Sequence, residues 1–361
     1  MSLGANSFGS RFVITSFGES HGPGLGVVID GCPAGVPVDL ERLKRDLRRR
    51  RPGRHGQETV VVSEREEPDQ AEILSGVFAG KTLGTPIAVL VRNRDQRPQD
   101  YDSVKANPRQ GHADDLWQEK FGHSDYRGGG RASGRETLAR VIAGSFANML
   151  LSQLAPECRV LGFVREVGPV TLSASDLGEL KERWADGGFL STDVDGFAAR
   201  MPSAEKSKEV EELLLAAKSE GKSYGGVAEI WIQAPPPYLG QPVFHKLKSD
   251  LAAALMSVGA TAGFELGEGL ASASAEGSDF HRRTGGGEKP LQDQYGGIRG
   301  GISTGETICF RVAFKPTSTV LDLAKKGRHD PCIVPRALPV LEAMTAFVLA
   351  DHLLWSRTDR V

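Results

Sequence analysis

The sequence predicts a water-facing globular protein of mixed strands and helices, and three features carry that expectation. Apolar residues make up 39% and charged residues 25% of the 361 positions, a balance typical of folded domains. Short runs at 11–16 and 25–30, rich in Val and Ile, flank a glycine-rich turn as hairpin strands do. Segments 39–51 and 335–354 instead show helical patterning. The length allows one large domain or two modest ones, with a sizeable core either way.

Composition also excludes some classes. The net charge of -2 implies no general attraction to nucleic acid or membrane. Cys32, Cys158, Cys309 and Cys332 form no C-x-x-C pair, which argues against a zinc site or disulfide framework and for a reducing, cytoplasmic setting. The N-terminal residues show no signal-peptide pattern, and no run reads as a membrane span.

Taken in order, strands are expected at 11–16, 25–30, 60–63, 71–78, 86–91, 159–167, 225–233 and 307–314. The turn between the first two holds Glu19, Ser20 and His21. Helix 39–51 opens on Asp39, a plausible N-cap, and carries the stripe Leu40, Leu43, Leu47. It ends in Arg48, Arg49, Arg50 and Arg51 before Pro52. Cations suit a helix C-terminus, but four in a row with Arg54 nearby also suit a phosphorylated ligand. Nucleic acid is a further partner for such a run, though no aromatic residues interleave it. Segment 93–102 reads as a polar loop, and His112 sits in a second loop beside Gly111. Helices are expected at 204–220 and 244–258, and segment 274–293 has loop composition. Helix 335–354 is apolar on most faces, so it is expected to be buried.

The most informative stretch is Asp125 to Thr137. Three consecutive glycines, Gly128 to Gly130, allow close backbone approach to a ligand. A helix is expected to begin at Ser133, with Ser133 and Glu136 at the spacing of a capping box. Arg127, Arg131 and Arg135 bracket that start, and a helix N-terminus with guanidiniums around it makes an anion site. Gly296 to Gly305 followed by Lys315-Pro-Thr-Ser-Thr319 offers a weaker phosphate or flavin-edge signal. One internal echo is visible: Thr82-Leu-Gly-Thr-Pro-Ile87 and Ser303-Thr-Gly-Glu-Thr-Ile308 each enter a strand that ends in a basic residue, as a duplicated unit would.

Five motifs together carry a family resemblance. They are Gly-Glu-Ser-His-Gly-x-x-Leu-Gly at 18–26, Gly-His-Ala-Asp at 111–114, Gly-Gly-Gly-Arg-x-Ser-x-Arg-Glu-Thr at 128–137, Lys-Pro-Thr-Ser at 315–318 and Arg-His-Asp-Pro at 328–331. With Glu-Pro-Asp at 67–69, Ile-Leu-Ser-Gly at 73–76 and Asp-Gln-Arg at 95–97, they follow the order seen in chorismate synthases. The resemblance spans Phe8 to Glu342 and implies an α+β fold, a β-α-β sandwich with helices layered between antiparallel sheets, in one domain over 1–361 that assembles as a homotetramer.

It also implies the chemistry: reduced FMN (FMNH2) supports anti-1,4-elimination of phosphate from 5-enolpyruvylshikimate 3-phosphate, giving chorismate with no net redox change. This is the last common step toward the aromatic amino acids. By the same resemblance His21, with Ser20 beside it, is the acid for the leaving phosphate. His112 balances the anionic reduced ring, and Asp330 relays the proton lost from C6. Ser133 joins the catalytic set. Implied flavin contacts are Arg131, Ala132, Ser133, Gly259, Ala260, Gly300, Lys315, Pro316, Thr317, Ser318, Thr319 and Arg328. Implied substrate contacts are Arg50, Arg131, Arg135 and Arg328. NADPH serves bifunctional members as reductant, and its arginines map onto Arg50 and Arg54. The sequence departs from the usual pattern at Gly259, where an Asn is common, and at Gln110, where Pro is frequent.

Overall fold

The structure, a computed structural model, describes residues 4–51, 69–93, 111–282, 294–318, 320 and 330–361. The expected strand at 60–63 and the site residues Arg54, Thr319 and Arg328 lie outside these residues.

The first half begins with β1 (Ser7–Phe8), β2 (Val13–Phe17) and β3 (Gly24–Asp30), then α1 (Leu40–Arg50). Next come β4 (Ala71–Ile73), β5 (Val77–Phe78), β6 (Lys81–Thr82) and β7 (Ile87–Arg92), then α2 (Asp114–Phe121) and α3 (Thr137–Leu154). The second half holds β8 (Arg159–Val167), β9 (Val170–Thr171), α4 (Ala174–Ala185), α5 (Ser191–Asp195), α6 (Ala204–Glu220) and β10 (Gly226–Gln233). It continues with α7 (Leu247–Met256), β11 (Thr261–Leu266), α8 (Gly277–Arg282), β12 (Ile298–Arg299), β13 (Ile302–Ser303), β14 (Ile308–Phe314) and α9 (Val334–Ser356).

Two five-stranded antiparallel sheets result, in the orders β1-β2-β3-β7-β4 and β11-β14-β10-β8-β9. Between them lie α3 and α9, which pack on each other more extensively than any other pair of elements. α3 also meets β2 and β3, α9 meets β8 and β10, and α1 and α7 flank the pair. The expected layered α+β sandwich is therefore present. Where α3 and α9 cross, a Cβ at Gly144 would come 2.4 Å from the Cβ and 2.6 Å from the carbonyl oxygen of Ala343. Backbone touches backbone there. Gly144→Ala is expected to destabilise the protein by about 1–3 kcal/mol through overpacking, read as a lower urea midpoint at constant m-value.

The internal echo is structural. The hairpins β5–β6 and β12–β13 share one register, Val77↔Thr82 with Phe78↔Lys81 and Ile298↔Ser303 with Arg299↔Ile302. Thr82 Oγ1 donates to Pro33 O at 2.6 Å and accepts from Val36 N at 3.0 Å. Ser303 Oγ donates to Pro236 O at 2.7 Å and accepts from Leu239 N at 2.8 Å. Gly35 N to Thr82 O and Tyr238 N to Ser303 O repeat the backbone contact as well. Both hydroxyls are buried, so each satisfies polar groups that water cannot reach. The orders β2-β3-β7-β4 and β8-β10-β14-β11 also correspond, while the edge strands differ: β1 precedes β2 in the chain and β9 follows β8.

Several boundaries differ from expectation. The single strand expected at 71–78 is split into β4 and β5, with Gly76 at φ 79° at the break. The helix expected at 244–258 starts only at Leu247. Part of the loop expected at 274–293 is helical, as α8. β11, α4 and α5 were not expected. β11 is short, with an Ala-Gly pair near its start and no alternating apolar pattern, and it acquires its strand character from pairing with β14. Contrary to expectation, α9 is long and apolar enough to cross a membrane, with a mean hydropathy of 1.5, but its residues Val334 to His352 are almost all buried inside this fold.

Candidate active site

One cavity of about 670 Å³ opens where the ends of several elements converge. That lies within the roughly 300–1,000 Å³ of small-molecule sites. It is lined by Arg50 at the end of α1, His112 before α2, Arg131–Gly134 and Thr137 at the start of α3, and Ser257–Ala260 after α7. Lys315–Ser318 after β14 and Arg336–Ala337 in the first turn of α9 complete the polar wall. Phe8, Ile14, Val258, Ile333, Val340 and Met344 give an apolar wall. Among the described residues, Arg50, Arg131, Arg140, Lys315 and Arg336 face it against the single carboxylate of Glu136. Such a lining suits a ligand that is planar and apolar on one side and anionic on the other.

The arginine run divides its work by helical periodicity. Arg48 is exposed. Arg49 binds Asp195 at 2.7 Å and Glu342 at 2.6 Å, and Glu342 in turn accepts from Gly162 N. Burial pulls the Arg49 guanidinium down, but Glu342 and Asp195 more than offset this and hold it above its ordinary value. Arg50 is 1% exposed and reaches the cavity, donating to Thr137 Oγ1 at 3.0 Å, Gly134 O at 3.1 Å and Asp69 Oδ2 at 3.3 Å. Burial, aided by the like charge of Arg336, pushes its pKa down to about 10. It remains a cation at neutral pH. Helix capping accounts for part of the run and the cavity for another part.

The helix start differs from the expected capping box. Ser133 caps a short 3-10 turn (Gly134–Glu136), and α3 proper begins at Thr137. Ser133 Oγ accepts only a long contact from Arg135 N, 3.4 Å, while the Glu136 carboxylate turns to Arg140 at 2.9 Å. The i,i+4 cation outcompetes the backbone for that carboxylate, which leaves the Ser133 hydroxyl loosely held at the cavity wall.

The three arginines around this start are dispersed. Arg127 pairs with Asp125 at 2.8 and 2.7 Å. Arg131 lines the cavity and donates to Gly18 O at 2.9 Å and to Ser16 Oγ. Arg135 points the other way, donating to Asp69 Oδ1 at 3.1 Å and to Asn93 Oδ1 at 2.7 Å.

His112, Ala260, Lys315 and Ser318 are brought together. Lys315 Nζ and Ser318 Oγ both donate to Gly111 O at 2.9 Å, and Lys315 N donates to Ala260 O at 3.0 Å. Ala260 holds φ at 69°, a left-handed strain that costs about 1–2 kcal/mol for a non-glycine residue. His21 and Ser20 are buried and do not belong to the described lining of the cavity. His21 Nδ1 lies 3.2 Å from Ser20 Oγ, and a Cβ on Gly128 would overlap the His21 ring at 2.2 Å. With φ at 61°, 80° and 51°, the three glycines thus let the backbone press on that imidazole. Asp330 is buried, with Oδ2 accepting from Arg336 at 2.7 Å. Gly300 sits at the tip of the β12–β13 hairpin, apart from the lining.

Asp69, Asn93 and Arg336 were missed as site residues. Arg336 carried no signal because it lies inside a segment that reads as buried apolar helix.

Comparison with known proteins places the whole chain in one group. The chorismate synthase family model matches residues 12–354. A chorismate synthase of Bdellovibrio bacteriovorus is 59% identical over 99% of this chain and 100% of its own length. One from Opitutus terrae is 43% identical over 98% and 97%. A crystal structure of chorismate synthase superposes with a TM-score of 0.74 at 32% identity, covering 97% of this chain and 93% of that one. The chain belongs to the chorismate synthase family.

Proposed function

We propose that the cavity between α1, the start of α3, the 257–260 turn and the 315–318 loop is where this chain carries out the family's reaction, the elimination of phosphate from 5-enolpyruvylshikimate 3-phosphate. The observation that carries this reading is the convergence of Arg50, His112, Arg131–Ser133, Gly259–Ala260 and Lys315–Ser318 on one cationic cavity. Reduced FMN, when bound, supplies a transient electron source. The lining fits such a group: hydroxyls and cations at Ser133, Arg131, Lys315 and Ser318 suit its phosphate and ring edge, and the apolar wall suits its ring face.

The chain's own residues have separate tasks. His112 balances negative charge in the cavity. Arg50 and Arg131 hold anionic groups of the substrate, and Arg135 is assigned to the same task by motif. By motif, though neither lies in the described lining, His21 is assigned to give a proton to the departing phosphate oxygen and Asp330, held by Arg336, to pass on the proton lost from C6. Arg54, Thr319 and Arg328 keep the roles their motifs imply; Gly300 is assigned as a flavin contact by resemblance alone, since it stands apart from the cavity lining. We further propose a single domain in a cytoplasmic homotetramer. Four free cysteines support the compartment, and exposed Phe78, Tyr238 and Phe244 support association.

The deciding experiment is an anaerobic assay with chemically reduced FMN. Stoichiometric phosphate and chorismate are expected from a particle with the light-scattering mass of four chains. NADPH consumption without phosphate release would instead mark a flavin reductase. A parallel aerobic assay with NADPH and oxidised FMN shows whether the chain reduces its own flavin.

A further inference from the structure

Asn93, the first residue beyond β7, has a side-chain amide that is fully engaged on both sides. Nδ2 donates to three carbonyls of one turn: Gly22 O at 2.7 Å, Ser20 O at 3.1 Å and Glu19 O at 3.3 Å. Oδ1 accepts from Arg135 Nε at 2.7 Å. Its backbone N–H continues the pattern by donating to Pro23 O at 3.1 Å. The amide orientation is dictated by this network, because flipping it would set Oδ1 against three carbonyls and Nδ2 against a guanidinium. Two N–H groups and one carbonyl are needed in opposite directions, and among side chains of this length only Asn offers both.

We propose that Asn93 is the positioning residue that fixes the Ser20–His21 turn relative to the Arg135–Asp69 pair. The inference rests on the assignment of His21 as the acid and Arg135 as an anion-holding residue. The turn closes on itself through Gly22 N, which donates to Glu19 O at 3.1 Å. It is pressed by Gly128 from one side, and Ser20 N reaches Gly130 O only at 3.4 Å. Asn93 adds directional contacts to the backbone on either side of His21 and so tethers the segment that carries the imidazole. Through Arg135 it also reaches Asp69, which binds the Arg50 guanidinium of the cavity. One amide thus couples the proposed acid to the proposed anion clamp, and displacements of about 1 Å between such groups can cost about 10²-fold in rate.

Asn93→Asp separates the two halves of this role. The carboxylate keeps the acceptor for Arg135 but turns the three carbonyl contacts repulsive. The expected result is at least a tenfold loss in kcat with KM for 5-enolpyruvylshikimate 3-phosphate within about twofold of wild type. Asn93→Ala removes both sides and is expected to lower kcat and raise KM together. Unchanged kcat in folded Asn93→Asp, or a change confined to KM, overturns the proposal. A second readout is independent of turnover: the His21 ring resonance in a 13C-histidine NMR spectrum should shift or broaden in whichever variant folds, while that of His112 stays in place. An unmoved His21 resonance overturns the proposal even if activity falls. His21→Ala is run alongside. If it retains wild-type turnover, the acid assignment has failed, and the positioning claim then stands or falls on the NMR result alone.

Discussion

His112→Ala should lower turnover by about 10²–10⁴-fold, the contribution typical of a group that manages proton or charge in a transition state. The fold should survive. His112 lies in a loop before α2, outside the buried core, and that loop is anchored through the Gly111 carbonyl by Lys315 and Ser318. Thermal unfolding within a degree or two of wild type, with anaerobic turnover reduced by orders of magnitude, is the expected pair of results. Turnover within threefold of wild type would remove His112 from the reaction. His112→Gln tests whether hydrogen bonding without a titratable charge suffices, and it is expected to recover little of the loss.

Asp69→Ala should destabilise the protein by about 3–5 kcal/mol, the range for breaking a buried ion pair by removing one partner. The Asp69 carboxylate is fully enclosed and accepts from Arg50 and Arg135, with Arg51 Nε 3.7 Å away. Burial pushes the Asp69 carboxyl above its usual range, and the guanidiniums of Arg50 and Arg51 oppose that shift. Without it, Arg50 keeps a positive charge at 1% exposure, with Arg336 repelling it and the more distant Glu136 as the remaining carboxylate acting on it. The charge cannot be shed cheaply at neutral pH. A urea denaturation series reads the effect as a lower midpoint at constant slope. Phosphate at high concentration is expected to recover part of the loss, since an anion beside Arg50 would replace the missing carboxylate. A loss below about 1 kcal/mol would show that Asp69 does not neutralise this cluster.

These two residues differ in how far the sequence exposes them. His112 stands in a glycine-flanked loop whose motif was readable, as did Arg131, Ser133 and Lys315. Their neighbours in the chain are part of the same wall. Asp69 and Asn93 are single polar residues near strand ends, and their importance comes from contacts with Arg135, dozens of positions away. No local pattern encodes such a contact. Helices and a long strand were legible where periodic burial writes itself into the sequence, as in α1, α6 and β14. β11 was not, since its six residues carry no strand periodicity without β14 beside them. The capping box failed for a related reason: its spacing was present, but Arg140 one turn on offered Glu136 a stronger partner.

The duplication has a consequence for where chemistry can arise. The walls of the cavity come from corresponding pieces of the two halves: the ends of α1 and α7, and the starts of α3 and α9. The cavity therefore draws on equivalent places in both halves. In a dimer of identical half-length chains, every mutation would enter such a cavity twice, and a cation on one wall would face its own copy. Fusing the halves into one chain breaks that symmetry. Arg50 can then stand on one wall while the other keeps Gly259 and Ala260, and a single asymmetric ligand can be told front from back.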